Sequence, residues 1–451
     1  MNGCIITKGA MDWQVYQRNE NGNINIELEG TWEFEKECIV QVRITRESTS
    51  AAVRAHLNWQ DAEINKNNTW KIVMKNVPCG GPYRIETRLK DIIFCETVHN
   101  IYVGDLWVIA GQSNASGIGR GEIEDLPEFG VHVFRNEEKW ALAMHPLNDA
   151  TRTAHPVNRE GGPQHSPFLI FGKRIKNESG VPVGFIQTSL GGSPLSAWNP
   201  GDGEAVLYKN MIHCINLAGG KIKGILWYQG CSDTDKTQAE TYFPRFENFV
   251  KQTRKDLDTP DLPFITVQLN RFTTEQDAFP VYWSVVREQQ RQISHKVSRV
   301  YMVVAIDLPL SDQVHNSVAG NIVLGNRLAD CALTEIYKTK STYKSPEIKS
   351  AVLSRDKLSI TLEFENVESA LFPINDSCGM EKSFTIEDEK GLIELKEVRI
   401  EGSNKIVIRL SKPPRNNVYI HGLYGVNPQA NIYDFEPLRP MMTFYKFPVE
   451  N

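Results

Sequence analysis

The chain has 451 residues, more than one ordinary hydrophobic core holds, so two or three domains are expected. With 41% hydrophobic and 23% charged residues it is a folded globular chain and not a disordered one. A formal net charge of −5 leaves no basic excess for nucleic acid or anionic lipid, and neither is expected as a partner.

The N-terminus reads MNGCIITKGAMDWQVYQ. It has no basic segment followed by a long apolar core, so a secretory leader is not read there and a cytoplasmic location is expected. No stretch is long and apolar enough to span a bilayer, so no membrane partner is expected. The eight cysteines (Cys4, Cys38, Cys79, Cys95, Cys214, Cys231, Cys331 and Cys378) are scattered. They form no C-x-x-C pair and have no histidine at metal spacing, which reads as free thiols in a reducing compartment, with no disulfide framework and no metal.

From residue 11 to about 103, short runs such as INIELEG, CIVQVRI and WKIVMKNV alternate apolar and polar residues between Asn and Gly. That pattern predicts a small β-sandwich. From residue 104 the pattern changes. LWVIA, FIQTSL, ILWYQG, PFITVQL and VYMVVAID are continuous apolar runs, separated by helical periods such as PFLIFGKRIK, VLYKNMIHCINLA and RFENFVKQTRKDL. Continuous apolar strands between helices predict a parallel sheet covered on both faces. The Lys-rich YKTKSTYKSPEIKS, near residue 340, reads as a linker, and alternating runs return from about 347 in SAVLSRDKLSITLEF and KIVIRL. The expected organisation is an N-terminal β-module over 1–103, an α/β domain over 104–340 and a C-terminal β-rich module over 341–451.

In an open parallel sheet the chemistry gathers at the carboxyl ends of the strands. Four of those ends are suggestive. LWVIAGQSNASG presents Ser113 just after a glycine, either as a helix cap or as a nucleophile. TSLGGSPLSAW has Gly191 and Gly192, which allow a backbone N–H to approach a ligand closely or simply form a tight turn. GILWYQGCSD closes a buried strand on Gln229, whose amide needs partners and is a candidate oxyanion donor; Trp227 and Tyr228 read as core aromatics. AIDLPLSDQVHNSVAG holds Asp312 and His315 as D-x-x-H before an amphipathic helix. A serine, a donor turn, an amide and an Asp–His pair in that chain order make a complete acyl-transfer set. Ala115 stands where the G-x-S-x-G elbow requires glycine, so this is a different arrangement. Asp307, at the end of VYMVVAID, is the rival acid.

The blocks VGDLWVIAGQSNASG, VPVGFIQTSLGGSPLSAW, GILWYQGCSD, PFITVQL and DQVHNSVAGNIVLGNRLA resemble those of the sialate O-acetylesterase family. That family is a branch of the SGNH hydrolases that also holds plant-polysaccharide acetylesterases. TWKIVMKNVPCGGPYRIETRL and HGLYGVNPQANIYDFEPLRPMMTF extend the likeness to both flanking modules. The resemblance implies an SGNH-type, flavodoxin-like three-layer α/β domain with a parallel sheet, flanked by β-rich modules. It implies Ser113 as nucleophile, His315 as base and Asp312 as the acid that orients it. It also implies an oxyanion hole made by the N–H of Ser113, the Gly191–Gly192 turn and the Gln229 side chain. Two positions depart from the family pattern: Cys231 stands where it usually has glutamate, and Asn316 follows the histidine where many sialate esterases have proline. The longer spacing from His315 to LGNRLA is closer to the plant-type branch.

The expected activity is removal of O-acetyl groups from sugar hydroxyls through a serine acyl-enzyme, on O-acetylated oligosaccharides or sialic acid, with no metal or organic cofactor. The rival readings are a carbohydrate-binding protein with an inactive esterase core, and a serine hydrolase acting on another acyl ester. Nothing in the sequence bears on the oligomeric state.

Overall fold

The computed structural model describes residues 3–450 apart from 66, 123–124, 156, 158–163, 275–280, 341 and 375–378; Cys378 lies outside the described residues. The N-terminal strands are β1 (Gly3–Lys8), β2 (Val15–Gln17), β3 (Asn23–Glu33), β4 (Val40–Arg46), β5 (Gln60–Asp61), β6 (Glu63–Asn65), β7 (Thr69–Pro78) and β8 (Gly80–Leu89). Strand structure therefore begins earlier than residue 11. In β3 the side chains from Glu27 to Glu33 alternate exposed and buried, as a strand with one face on a core must. β1, β3, β7 and β6 form one antiparallel sheet, while β4 and β8 pair with each other beside it.

β9 (Ile93–Gly111) joins the two halves of the molecule. Its first part pairs antiparallel with β8. Its last part is the middle of the central sheet, flanked by β12 (Val183–Gln187) and β13 (Gly224–Tyr228), both parallel to it. The position 103/104, where the sequence pattern changes, thus falls within one continuous strand. Beyond β12 lie β10 (Val131–Phe134), parallel, and β11 (Trp140–Leu142), antiparallel; beyond β13 lie β14 (Phe264–Gln268) and β15 (Val300–Val304), both parallel. Every residue of β12, β13 and β14 is buried, which explains their unbroken apolar sequences.

The helices are α1 (Ser113–Ser116), α2 (Phe168–Ser179), α3 (Val206–Leu217), α4 (Lys236–Glu240), α5 (Tyr242–Asp256), α6 (Val281–Lys296) and α7 (Val318–Glu335). α2 packs against α7 and α5 against α6, over the sheet. The caps follow local chemistry: the Ser317 hydroxyl accepts from the Gly320 N–H at the start of α7, and Gly180 ends α2 in the left-handed region at φ +73°. No helix among the described residues is long and apolar enough to cross a membrane.

The C-terminal part is built of antiparallel strands, beginning with β16 (Glu347–Leu353) and β17 (Ser359–Glu365). The expected linker is short: Tyr343 is already buried and β16 starts at Glu347. A buried ionic contact docks this part on α6. Arg291 Nη1 donates to Glu347 Oε1 at 2.8 Å, and His295 Nε2 lies 2.6 Å from the same oxygen. Burial works against the Glu347 charge, but the two cations outweigh it and hold its pKa below the ordinary value, while the bond to Glu347 raises that of His295. The Glu347 contribution is therefore lost in acid, as pH falls through its lowered pKa. The His295 contribution is full below about pH 6.5 and is lost as pH rises through its raised value. Glu347→Gln is expected to cost about 3 kcal/mol, because it leaves Arg291 buried with one carboxylate fewer. It should also remove the fall in thermal midpoint on going from about pH 6 to about pH 8. Thermal melts of both proteins at the two pH values check this.

Candidate active site

Ser113 is the first residue of α1, one residue beyond the Gly111–Gln112 turn that ends β9. Gly111 has φ +124°, and a Cβ there would sit 2.3 Å from the Tyr228 carbonyl oxygen on β13, so only glycine lets the chain turn this tightly against its neighbour. As the first residue of a helix, Ser113 keeps its N–H outside the helical hydrogen bonding.

His315 lies on the loop between β15 and α7. Its Nε2 is 2.8 Å from Ser113 Oγ, and its Nδ1 is 2.7 Å from Asp312 Oδ2. A carboxylate can only accept, so Nδ1 carries the proton and Nε2 accepts from the serine hydroxyl. The other Asp312 oxygen accepts from the N–H groups of Val314 (2.9 Å) and His315 (2.8 Å), so a single turn holds acid and base in register. Partial burial opposes the Asp312 charge, but these N–H groups and the imidazole together hold its pKa below the usual carboxylate value. The rival acid is engaged elsewhere: Asp307 accepts two bonds from Arg327, each at 2.7 Å.

The Gly191–Gly192 turn follows β12 and is drawn to the end of β9 by the Leu190 N–H, which donates to the Gly111 carbonyl at 3.0 Å. Among the described residues neither glycine N–H takes part in a backbone hydrogen bond. Both N–H groups are thus left uncommitted by the backbone ladder.

Gln229 departs from expectation. It is fully buried, and its Nε2 donates to the Ser193 carbonyl at 3.2 Å and to Asp233 Oδ2, while its Oε1 accepts from the Tyr242 hydroxyl at 3.1 Å. Both amide hydrogens are spent inside the protein, and the Asp233 carboxylate fixes which end of the amide is nitrogen. Gln229 holds the loop after β13 and is not a free oxyanion donor. Asp233, four residues on, also accepts from the Leu195 N–H and from Arg245, and it is the partner that sequence reasoning missed.

Asn114 was also given no role, yet it ties the two halves of the site. Its Nδ2 donates to the Val314 carbonyl at 3.1 Å and its Oδ1 accepts from the Asn316 N–H at 3.0 Å. Asn270, at the end of β14, donates to the same Val314 carbonyl at 2.8 Å and to Asn316 Oδ1 at 2.9 Å. The signal for both was an asparagine closing a buried strand or turn, which needs partners. Trp227 and Tyr228 are buried core aromatics, and burial pushes the Cys231 thiol up to about 12, so it stays protonated at neutral pH.

Because its partners are internal, Gln229→Ala should act first on stability. It strips one partner each from the buried Asp233 and Tyr242, a cost on the order of 2 kcal/mol. The thermal midpoint and the turnover of an aryl acetate are to be measured together. An unchanged midpoint with turnover reduced by roughly 10²–10³-fold would return the amide to the oxyanion hole.

Comparison with known proteins places the chain among carbohydrate esterases. The family model for carbohydrate esterase, sialic acid-specific acetylesterase, matches residues 103–334, just over half of the chain. A probable carbohydrate esterase of Arabidopsis thaliana is 28% identical over 253 residues, covering 51% of this chain and 90% of that protein. Human sialate O-acetylesterase is 23% identical over 302 residues, covering 56% of this chain and 57% of that protein, so the chain matches little more than half the length of that relative. The crystal structure of a carbohydrate acetylesterase from Xanthomonas citri superposes with a TM-score of 0.71 at 21% identity, over 98% of this chain and 99% of that one, and so shares the fold along the whole length. The chain belongs to the sialic acid-specific acetylesterase family of carbohydrate esterases.

Proposed function

We propose that this protein is a serine-dependent carbohydrate O-acetylesterase. The observation that carries the reading is the unbroken relay from Asp312 Oδ2 through His315 to Ser113 Oγ, with contacts of 2.7 and 2.8 Å. Ser113 Oγ attacks the acetyl carbonyl as His315 Nε2 takes its proton, and Asp312 stabilises the imidazolium. The oxyanion accepts from the Ser113 N–H and from the Gly191–Gly192 turn. The C–O bond to the sugar breaks, and the sugar oxygen takes the proton back from His315. Water, deprotonated by His315, then attacks the acetyl-serine, acetate leaves, and Ser113 recovers its proton. None of these steps calls for a metal or an organic cofactor.

The α/β unit is read as an SGNH-type, flavodoxin-like three-layer domain over 104–340, with β-rich modules over 1–103 and 341–451. Its substrates are O-acetylated sugars. Acetate release from acetylated sialic acid, xylo-oligosaccharides and manno-oligosaccharides would show which of them fits. Ser113→Ala should remove turnover by about 10⁴-fold or more with the fold intact. Absence of acetate release from every acetyl ester by the unaltered protein would favour the inactive, sugar-binding alternative.

Asp312→Asn should reduce kcat by roughly 10²–10⁴-fold, since the imidazole loses the charge that orients it. Asp307→Asn should instead lower stability by about 1–3 kcal/mol through its bonds to Arg327 and keep most of the turnover. Measuring kcat and thermal midpoint for both variants separates the two carboxylates. A normal rate in Asp312→Asn would reduce the relay to a Ser–His dyad.

A further inference from the structure

Outside the relay, three side chains with metal-ligand atoms converge. Asp125, His145 and His165 come from separate loops and are spaced twenty residues apart, a spacing that carries no ligand motif in the sequence. One oxygen and two nitrogens all lie within 4.8 Å of one another. Asp125 Oδ2 is 3.3 Å from His145 Nε2 and 3.7 Å from His165 Nε2. Donors around a tetrahedral ion with bonds of about 2.0–2.1 Å are spaced by roughly 3.3 Å, so the set is close to the separation such an ion needs. The two imidazoles stack with centroids 4.0 Å apart and planes 29° apart, which keeps them side by side.

Burial makes the arrangement unusual for a set of plain polar contacts. The Asp125 side chain is 2% exposed and that of His165 7%. Among the described residues neither ring nitrogen of His165 has a hydrogen-bond partner, and His145 Nδ1 has none either. A buried imidazole left without partners is costly, and an unfilled ion position is one of its ordinary explanations. One feature opposes a cation: Lys173 Nζ contacts Asp125. It does so at Oδ1, however, and also donates to the Leu126 carbonyl at 3.0 Å, leaving Oδ2 directed at the two histidines. A carboxylate that binds a metal through one oxygen is ordinarily held by a hydrogen-bond donor at the other, as Lys173 would hold Asp125 here.

We infer that Asp125, His145 and His165 form a binding site for a divalent transition-metal ion of the zinc class, separate from the catalytic relay. Two imidazoles and one carboxylate suit such an ion, with water in the remaining position. The ion would be structural. The His165 carbonyl accepts from the Gly119 N–H at 3.1 Å and from Asn321 Nδ2 of α7 at 2.8 Å. Gly119 lies two residues beyond Gly117, which ends the nucleophile helix. An ion at His165 therefore braces the segment that follows Ser113 and joins it to the loops of Asp125 and His145.

The test is zinc binding to the full chain after treatment with a chelator. One zinc per chain by elemental analysis after equilibrium dialysis, with a raised thermal midpoint, is the expected result. His165→Ala and His145→Gln should each weaken binding on the order of 100-fold or more, by analogy with the penalty for disturbing even outer-shell ligands. His315→Ala should still take up one zinc. Should either ligand variant fail to fold, cobalt(II) added to the unaltered protein reads the ligands directly, through the visible absorption of a four- or five-coordinate site. No stoichiometric zinc uptake, or uptake abolished by His315→Ala and kept by His165→Ala, would overturn the assignment.

Discussion

The site depends on a buried amide lattice that joins two stretches of chain 202 residues apart. Ser113 and His315 belong to different elements, and their 2.8 Å contact requires the turn after β9 and the loop after β15 to be fixed relative to each other. Asn114 does this from one side, bonding both the carbonyl of Val314 and the N–H of Asn316, the residues on either side of His315. Asn270 does it from another, through the same carbonyl and the Asn316 side chain. The two bonds that involve Asn316 are buried and the two to the Val314 carbonyl partly so, where competition from water is weakened and an unmade bond is expensive. The imidazole is therefore held through both of its neighbours within 2.8 Å of Ser113 Oγ.

The same logic extends to the N-terminal part. β9 pairs with β8 at one end and with β12 and β13 at the other, so the strand that delivers Ser113 is anchored in two hydrophobic clusters at once. Asp105, midway along, is buried and accepts two bonds from Arg18 and one from Tyr337. An N-terminal arginine and the segment after α7 thus share one carboxylate on the central strand.

What could be read beforehand followed the hydrophobic pattern. The unbroken apolar runs of β12, β13 and β14 announced buried parallel strands because both of their faces are covered. Ser113, Asp312 and His315 were legible because each follows a strand end and two of them lie three residues apart. The continuity of β9 was not legible, since alternation gives way to a continuous run in mid-strand when the second face becomes covered. The fate of the Gln229 amide was not legible either: a buried amide must have partners, but whether those are a substrate or Asp233 is decided by the loop's path. The cluster of Asp125, His145 and His165 escaped for the same reason, being assembled by tertiary structure from residues with no local spacing.

The remaining departure from the family pattern, Cys231, has a physical consequence at Arg287. That arginine is completely buried, and among the described residues no carboxylate touches it. Its guanidinium donates to the carbonyls of Leu269, Asn270, Gly425 and Val426. Burial lowers its pKa to about 9, which still leaves it charged at neutral pH. A glutamate at position 231 would supply a nearby negative charge; the thiol, pushed up to about 12, supplies none. The charge is instead spread over carbonyl dipoles, and two of these come from the C-terminal part. The segment at Gly425 and Val426 is therefore held against α6 by the cation it solvates. The Val426 carbonyl also accepts from the Phe272 N–H, and the N–H of the next residue, Thr273, donates to the Gln313 carbonyl on the His315 loop. The C-terminal part is thereby connected to the loop of His315 through two backbone hydrogen bonds, by way of Phe272 and Thr273.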